Sequence, residues 1–130
     1  MPRCIISKKR VCKAVDTRNK GKSGEDIAVQ FLKRRGYRIL ERNFRTKFGE
    51  IDIIARDRKT TVFIEVKLRE SISSGYPSES VVKAKMYHLQ NTALSYLKIH
   101  NLSDTPYRFE VVSILKDGNL YKIDLIPLEF

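Results

Sequence analysis

The sequence predicts an α/β fold: a central mixed β-sheet flanked by helices, in the order α-β-β-β-α-β-β. Three observations carry this. Two segments with helical periodicity, between Ser23 and Gly36 and between Ser78 and His100, enclose three strand-like segments. The second and third of these strands fold back on each other around a two-residue turn at Arg58-Lys59. Two more strands follow the long helix, and the first of them can pair in parallel with the hairpin strand before it through a right-handed crossover.

The elements follow in order. Ser23 is a good N-cap, with Asp26 three positions on in a capping-box arrangement. Ile27, Ala28, Phe31 and Leu32 then form one helical stripe, and Gly36 supplies the stop. Tyr37 to Thr46 reads as a strand with poor alternation, and Phe48-Gly49 marks a turn. Glu50 to Arg56 and Thr61 to Leu68 form the hairpin. Residues 71–77 are a loop rich in Ser, Gly and Pro. Ser78 can cap the second helix, whose stripe is Val82, Met86, Leu89, Ala93, Tyr96 and Leu97. Tyr107 to Leu115 is a strand, Asp117-Gly118-Asn119 a turn, and Leu120 to Ile126 the last strand.

The chain has 130 residues, which fits one domain with an ordinary core. We place a basic, flexible tail at 1–20 and the folded domain at 21–130. No apolar run is long enough to span a bilayer, and no apolar h-region follows the charged N-terminus, so neither a membrane anchor nor a secretory signal is expected. Cys4 and Cys12 are too far apart for a CxxC pair, which favours a reducing cytoplasm over a disulfide scaffold. The net charge of +11 points to a polyanionic partner. Residues 1–22, however, hold eight of the 26 basic side chains against Asp16 alone, so the tail is the more basic part and can equally be a solvated arm.

The hairpin carries the chemistry. With Asp57 paired to Thr60, Asp52 falls opposite Glu65 and Glu50 opposite Lys67. Ile51, Ile53 and Ala55 then share the other face with Val62, Ile64, Val66 and Leu68, and a one-residue slip would mix the two faces. Directly opposed side chains have Cβ atoms roughly 4.5–5.5 Å apart, and like charges there are destabilising. Asp52 facing Glu65 therefore calls for a cation, and hard ions such as Mg²⁺ or Mn²⁺ prefer carboxylate oxygens and water. Metal-assisted phosphodiester hydrolysis needs a nucleophilic water and neutralisation of developing charge. Lys67, one strand step from Glu65 on the same face, can orient that water or stabilise the transition state. The competing reading is an exposed charged ribbon with pairs such as Glu50–Lys67. The apolar run Val62-Phe63-Ile64 argues against it, because Phe63 shares the face of Glu65.

Several residues support the site with less force. Glu25, in the first helical turn, can reach the hairpin as a further ligand or simply suit the helix dipole. Lys85 can point at a scissile phosphate or lay its stem over the core and snorkel. Arg42, Arg45 and Lys47 can form a phosphate-contacting rim or be solvated strand charges. Tyr37, Phe44 and Tyr76 can stack on bases, with core packing the default for the first two. Asn43 can close a turn or bond near the site. His88 reads as a surface residue. No phosphate loop, HExxH or nucleophilic triad is present in the sequence.

Together, Gly24-Glu25, Gly49-Glu50-Ile51-Asp52, Phe63-Ile64-Glu65-Val66-Lys67 and Lys85 resemble the YraN-like family of small bacterial proteins. That family is similar to archaeal Holliday-junction resolvases and to the restriction-endonuclease-like PD-(D/E)-x-K nucleases. The resemblance runs from residue 20 to the end of the last strand and implies a restriction-endonuclease-like fold. It implies metal ligation by Asp52 and Glu65, a catalytic role for Lys67, completion of the site by Glu25, and a helix-two lysine at Lys85. The proline of the PD element is absent, Ile51 standing before Asp52; that proline carries no chemistry.

The expected function is a Mg²⁺- or Mn²⁺-dependent endonuclease acting on DNA rather than RNA, with branched or structured DNA as one substrate class. The alternative is a non-catalytic nucleic-acid-binding protein on a nuclease-like scaffold, with binding that depends on salt and not on chelator. An interaction module assembling through helix two is a third class. Junction resolution would need a homodimer, through helix two or an edge strand, and the sequence has no clear signature of one.

Overall fold

The computed structural model describes residues 11–16, 24–69, 79–118 and 120–129. The elements are β1 (Val11–Asp16), α1 (Gly24–Arg34), β2 (Arg38–Thr46), β3 (Gly49–Asp57), β4 (Thr60–Arg69), α2 (Glu79–Ile99), β5 (Tyr107–Asp117) and β6 (Leu120–Leu128). From α1 onward this is the expected order, and the termini of the elements move by one or two residues. The start near Gly21, the caps at Ser23 and Ser78, the 71–77 loop with Tyr76, and Asn119 lie outside the described residues.

β1 is a departure. Its six residues fall inside the segment read as tail, yet they pair antiparallel with β6 from Val11↔Leu125 to Asp16↔Leu120. The mixed sheet therefore has six strands, in the order β1-β6-β5-β4-β3-β2. The charges that marked 1–20 as tail say little about backbone pairing at an open edge.

Helix α1 carries Glu25 and Asp26 in its first turn and Lys33 and Arg34 in its last, each sign matched to the adjacent end of the dipole. Gly36 ends it at φ 90°: the Gly36 N–H donates to Lys33 O at 2.9 Å and the Tyr37 N–H to Leu32 O at 3.0 Å, a Schellman closure. Helix α2 closes in the same way around Asn101, at φ 57°, with the Leu102 N–H donating to Leu97 O at 2.7 Å.

The sheet separates two cores. On one side Ile27, Ala28, Phe31 and Leu32 of α1 cover Ile53, Ala55, Val62 and Ile64. On the other, Leu89, Ala93, Tyr96 and Leu97 of α2 cover Ile54, Phe63, Phe109 and also Ile51. Each fully buried aliphatic or aromatic side chain is worth about 1.5–3 kcal/mol against exposure, so both faces of the hairpin are anchored. β4 pairs in parallel with β5 from Thr61↔Tyr107 to Arg69↔Leu115, as the crossover through α2 requires.

Ile51 corrects the expected face. It was grouped with Ile53 and Ala55, but it packs under α2 while they pack under α1. Residues two apart in a regular strand share a face, so β3 turns over at Asp52. β2 does the same at the opposed position. Phe44 packs on the α2 core, whereas Arg42 reaches α1 to bond Asp26 at 2.8 Å. Asn43 between them has φ 54°, which asparagine tolerates better than most residues. The register is unbroken across the switch, running Arg42↔Ile53, then Phe44↔Ile51.

Candidate active site

The turnover of β3 presents Asp52. The β3–β4 ladder follows the expected register from Asp57↔Thr60 to Ile53↔Ile64 and stops there. One step beyond, the Asp52 carboxylate does the work of a ladder acceptor: the Val66 N–H donates to Asp52 Oδ2 at 2.9 Å. That bond fixes the carboxylate beside β4. Asp52, Glu65, Glu50, Lys85, His88, Leu89, Phe48 and Gly49 line a cleft of about 540 Å³ between the hairpin and α2. Gly49 lies against α2, where a Cβ would make ordinary contact with His88 Cβ and Thr92 Oγ1 at 3.5 Å, and its φ of +151° is what favours glycine there. Thr92, fully buried, donates to His88 O at 2.7 Å and holds that turn of α2 in place.

Glu65 is the centre of charge. Lys85 of α2 forms an ion pair with Glu65 Oε1, and Lys67 Nζ stands 3.7 Å from the same oxygen. The neighbouring Lys85 ammonium, followed by burial, lowers the Lys67 pKa against the pull of Glu65. Burial alone would lower Lys85 too, but its ion pair with Glu65 raises it overall and keeps it charged. Asp52 moves the other way for an acid. Desolvation first, then the charges of Glu25, Glu65 and Glu50, raise its pKa against the lowering effect of the Val66 N–H.

Glu25 does not line the cleft. It reaches Asp52 through its charge, and Arg42 stands 3.9 Å from it. With the Asn43 amide turned so that its nitrogen faces the acids, Asn43 donates to Glu25 Oε1 at 2.7 Å and to Glu50 Oε1 at 3.1 Å. Asn43 thus ties α1 to β3 directly across from Asp52. Sequence reasoning left Asn43 and Glu50 without a role and passed over His88 and Phe48. The opposed register of Arg45 and Glu50 across the Lys47-Phe48 turn was the one available signal.

The rim cations are less available than expected. Arg42 is engaged by Asp26, and Arg45 Nε lies 3.2 Å from Glu50 Oε2, so Glu50 pairs with β2 and not with Lys67. Lys47 Nζ sits over the Phe48 ring at 5.3 Å. Tyr37 and Phe44 are packing residues. The Tyr37 hydroxyl donates to buried Glu110 at 2.7 Å, and Phe44 meets Tyr96 edge-on at 5.3 Å. Among the described residues, no three His, Cys, Asp or Glu side chains gather closely enough to hold a metal by themselves. Nor is any helix among them long and apolar enough to cross a membrane.

Comparison with known proteins finds relatives along most of the chain. The model of "Uncharacterised protein family UPF0102" matches residues 24–114, which include the hairpin and Lys85. A UPF0102 protein of Caldicellulosiruptor saccharolyticus is 47% identical over 118 residues, covering 89% of this chain and all of the relative. One from Persephonella marina is 47% identical over 104 residues, covering 80% and 89%. Another from Geotalea uraniireducens is 50% identical over 101 residues, covering 78% and 80%.

Proposed function

The chain belongs to the uncharacterised protein family UPF0102, and from its site geometry we propose that it is a metal-dependent endonuclease hydrolysing phosphodiester bonds in DNA. One observation carries the reading: Asp52 and Glu65 line a single cleft together with Lys85, and Lys67 stands against Glu65. A pure binding surface gains nothing from carboxylates aimed at phosphate.

The donor set fits a hard divalent ion. Mg²⁺ is commonly bound through one or two carboxylates, with waters and substrate phosphate oxygens filling the remainder. Asp52 and Glu65 would hold Mg²⁺ or Mn²⁺, with Glu25 behind them. The Asp52 pKa is raised first by burial and then by the charges of Glu25, Glu65 and Glu50, and a cation would relieve the second of these. When bound, the ion would polarise the phosphate and acidify a water.

The chain's own groups do the rest. Lys67, which loses its proton more readily than an ordinary lysine, orients the attacking water and takes its proton as the new P–O bond forms, while the ester P–O bond breaks and the leaving oxygen is protonated from solvent. Lys85 stays charged and faces the non-bridging oxygens. Phe48 and His88 border the same cleft, within reach of sugar and base. DNA as the partner, a cytoplasmic location and a homodimer on junction substrates belong to the same proposal. Arg42 and Arg45, being paired with acids, give little support to a binding-only alternative.

The test is cleavage of labelled single-stranded, duplex, flap and four-way-junction DNA in Mg²⁺, Mn²⁺ or EDTA. We expect metal-dependent cutting that Asp52→Ala and Lys67→Ala abolish while folding and DNA binding survive. Full activity in either variant would reject the assignment.

A further inference from the structure

Two ammonium groups crowd one carboxylate in this cleft. Lys85 and Lys67 both approach Glu65 Oε1. Glu65 is the less exposed partner, its side chain 16% accessible against 49% for that of Lys85. A divalent ion taking Glu65 as ligand would meet two positive charges already at the ligand oxygen. Like charges at that range repel strongly where water is partly excluded. One lysine must give way. Lys67 is the more confined, its stem emerging from β4 and its side chain 39% accessible. Lys85 sits on the opposite wall of the cleft, on the α2 turn next to His88, with a long half-exposed side chain free to swing.

We propose that Lys85 is a resident counter-cation of Glu65, displaced when a divalent ion binds and thereby freed to engage the substrate phosphate. The proposal rests on the nuclease reading and deepens it. Lys85 and the metal share a single ligand in succession, so metal entry and readiness for an anionic substrate become one event. In the metal-free protein Lys85 offsets part of the Glu65 charge, which lessens but does not remove its repulsion of Asp52. With the metal in place, Glu65 no longer needs that charge, and the ammonium turns to the nearest remaining anion. A positioning residue of this kind weakens metal binding in exchange for charge placement, so removing it should strengthen metal binding even as it harms cutting.

The experiment is Mn²⁺ titration of the full-length protein by calorimetry, without nucleic acid. Wild type, Lys85→Met, Lys85→Arg and Lys47→Met are compared at one ionic strength. Lys85→Met should bind Mn²⁺ about threefold tighter or more, the order of factor that a partly exposed ion pair commands. Lys85→Arg should stay near wild type. Lys47→Met removes one charge at the cleft mouth without touching Glu65 and should change affinity by less than half as much. Unchanged or weaker binding in Lys85→Met overturns the proposal, and so does equal tightening in Lys47→Met, which would make the effect one of overall field. Absence of Mn²⁺ binding in every protein, wild type included, overturns it as well and removes the metal-dependent nuclease reading. That outcome is distinct from the others because wild type itself fails.

Discussion

Replacing Asp52 by Asn should stabilise the metal-free protein while abolishing cleavage. The carboxylate is partly desolvated and feels Glu25, Glu65 and Glu50. A unit like charge across a solvated cleft costs about 0.5 kcal/mol, so three of them with some desolvation come to about 1.5–2 kcal/mol. Against this, the Val66 N–H bond at 2.9 Å weakens when its acceptor changes from a carboxylate to an amide oxygen, by about 0.5–1 kcal/mol. The net gain is about 1 kcal/mol, or roughly 3–5 °C in melting temperature for a domain of this size. The pH dependence has a definite sign. An acid whose folded pKa is raised binds its proton more tightly when folded. Wild type therefore has that stability in full below the unfolded value of 3.8 and loses it as pH rises through the raised folded value. The advantage of Asn is then largest near neutral pH and disappears below 3.8. Thermal melts in EDTA at both pH values measure this, and a melt in 10-millimolar-scale Mg²⁺ should reverse the order, since wild type alone keeps both ligands. A less stable Asn variant in EDTA at neutral pH would refute the account of crowded charge at this site.

Two further perturbations separate the site from its scaffold. Tyr37→Phe removes a donor to Glu110, which is 1% exposed, and an acceptor for Arg108 at 2.8 Å. We expect a loss of about 1.5–3 kcal/mol in chemical denaturation with Mn²⁺ affinity unchanged, because Tyr37 bonds at the Asp57 end of the sheet, where Arg108 also binds Asp57. An unaltered denaturation midpoint would count against this network as a stabilising one. Asn43→Gly keeps the positive φ and loses the amide, whereas Asn43→Ala loses both. The glycine variant should melt within about 2 °C of wild type, the alanine variant lower by the equivalent of about 1 kcal/mol, and both should cut DNA more slowly. Full cleavage by the glycine variant would leave Asn43 a backbone role only.

How much of this was legible in the sequence follows from the range of the forces involved. The hairpin register came from alternation alone. Val62 and Ile64 must be buried on one face and Phe63 on the other, and only one register with a two-residue turn allows it. The α2 stripe at Leu89, Ala93, Tyr96 and Leu97 was equally plain, since a helix buries one face. Strand β1 was missed because its partner, β6, lies more than a hundred residues along the chain. Ile51 was misplaced because periodicity assumes a regular strand. The turnover at Asp52 comes from Phe44 and Ile51 seeking the α2 core while Arg42 and Ile53 stay on the α1 side.

The same division runs through the site. The acid-acid-lysine set of Asp52, Glu65 and Lys67 was legible as spacing on two adjacent strands, but the ladder between them ends at Ile53↔Ile64 and the Val66 N–H places the Asp52 carboxylate beyond it. The partners were decided by tertiary structure: Lys85 on Glu65, Asn43 on Glu25, and His88 at the cleft. Those contacts join elements from distant parts of the chain, and their geometry is set by how two helices seat on opposite faces of one sheet, which no local pattern encodes.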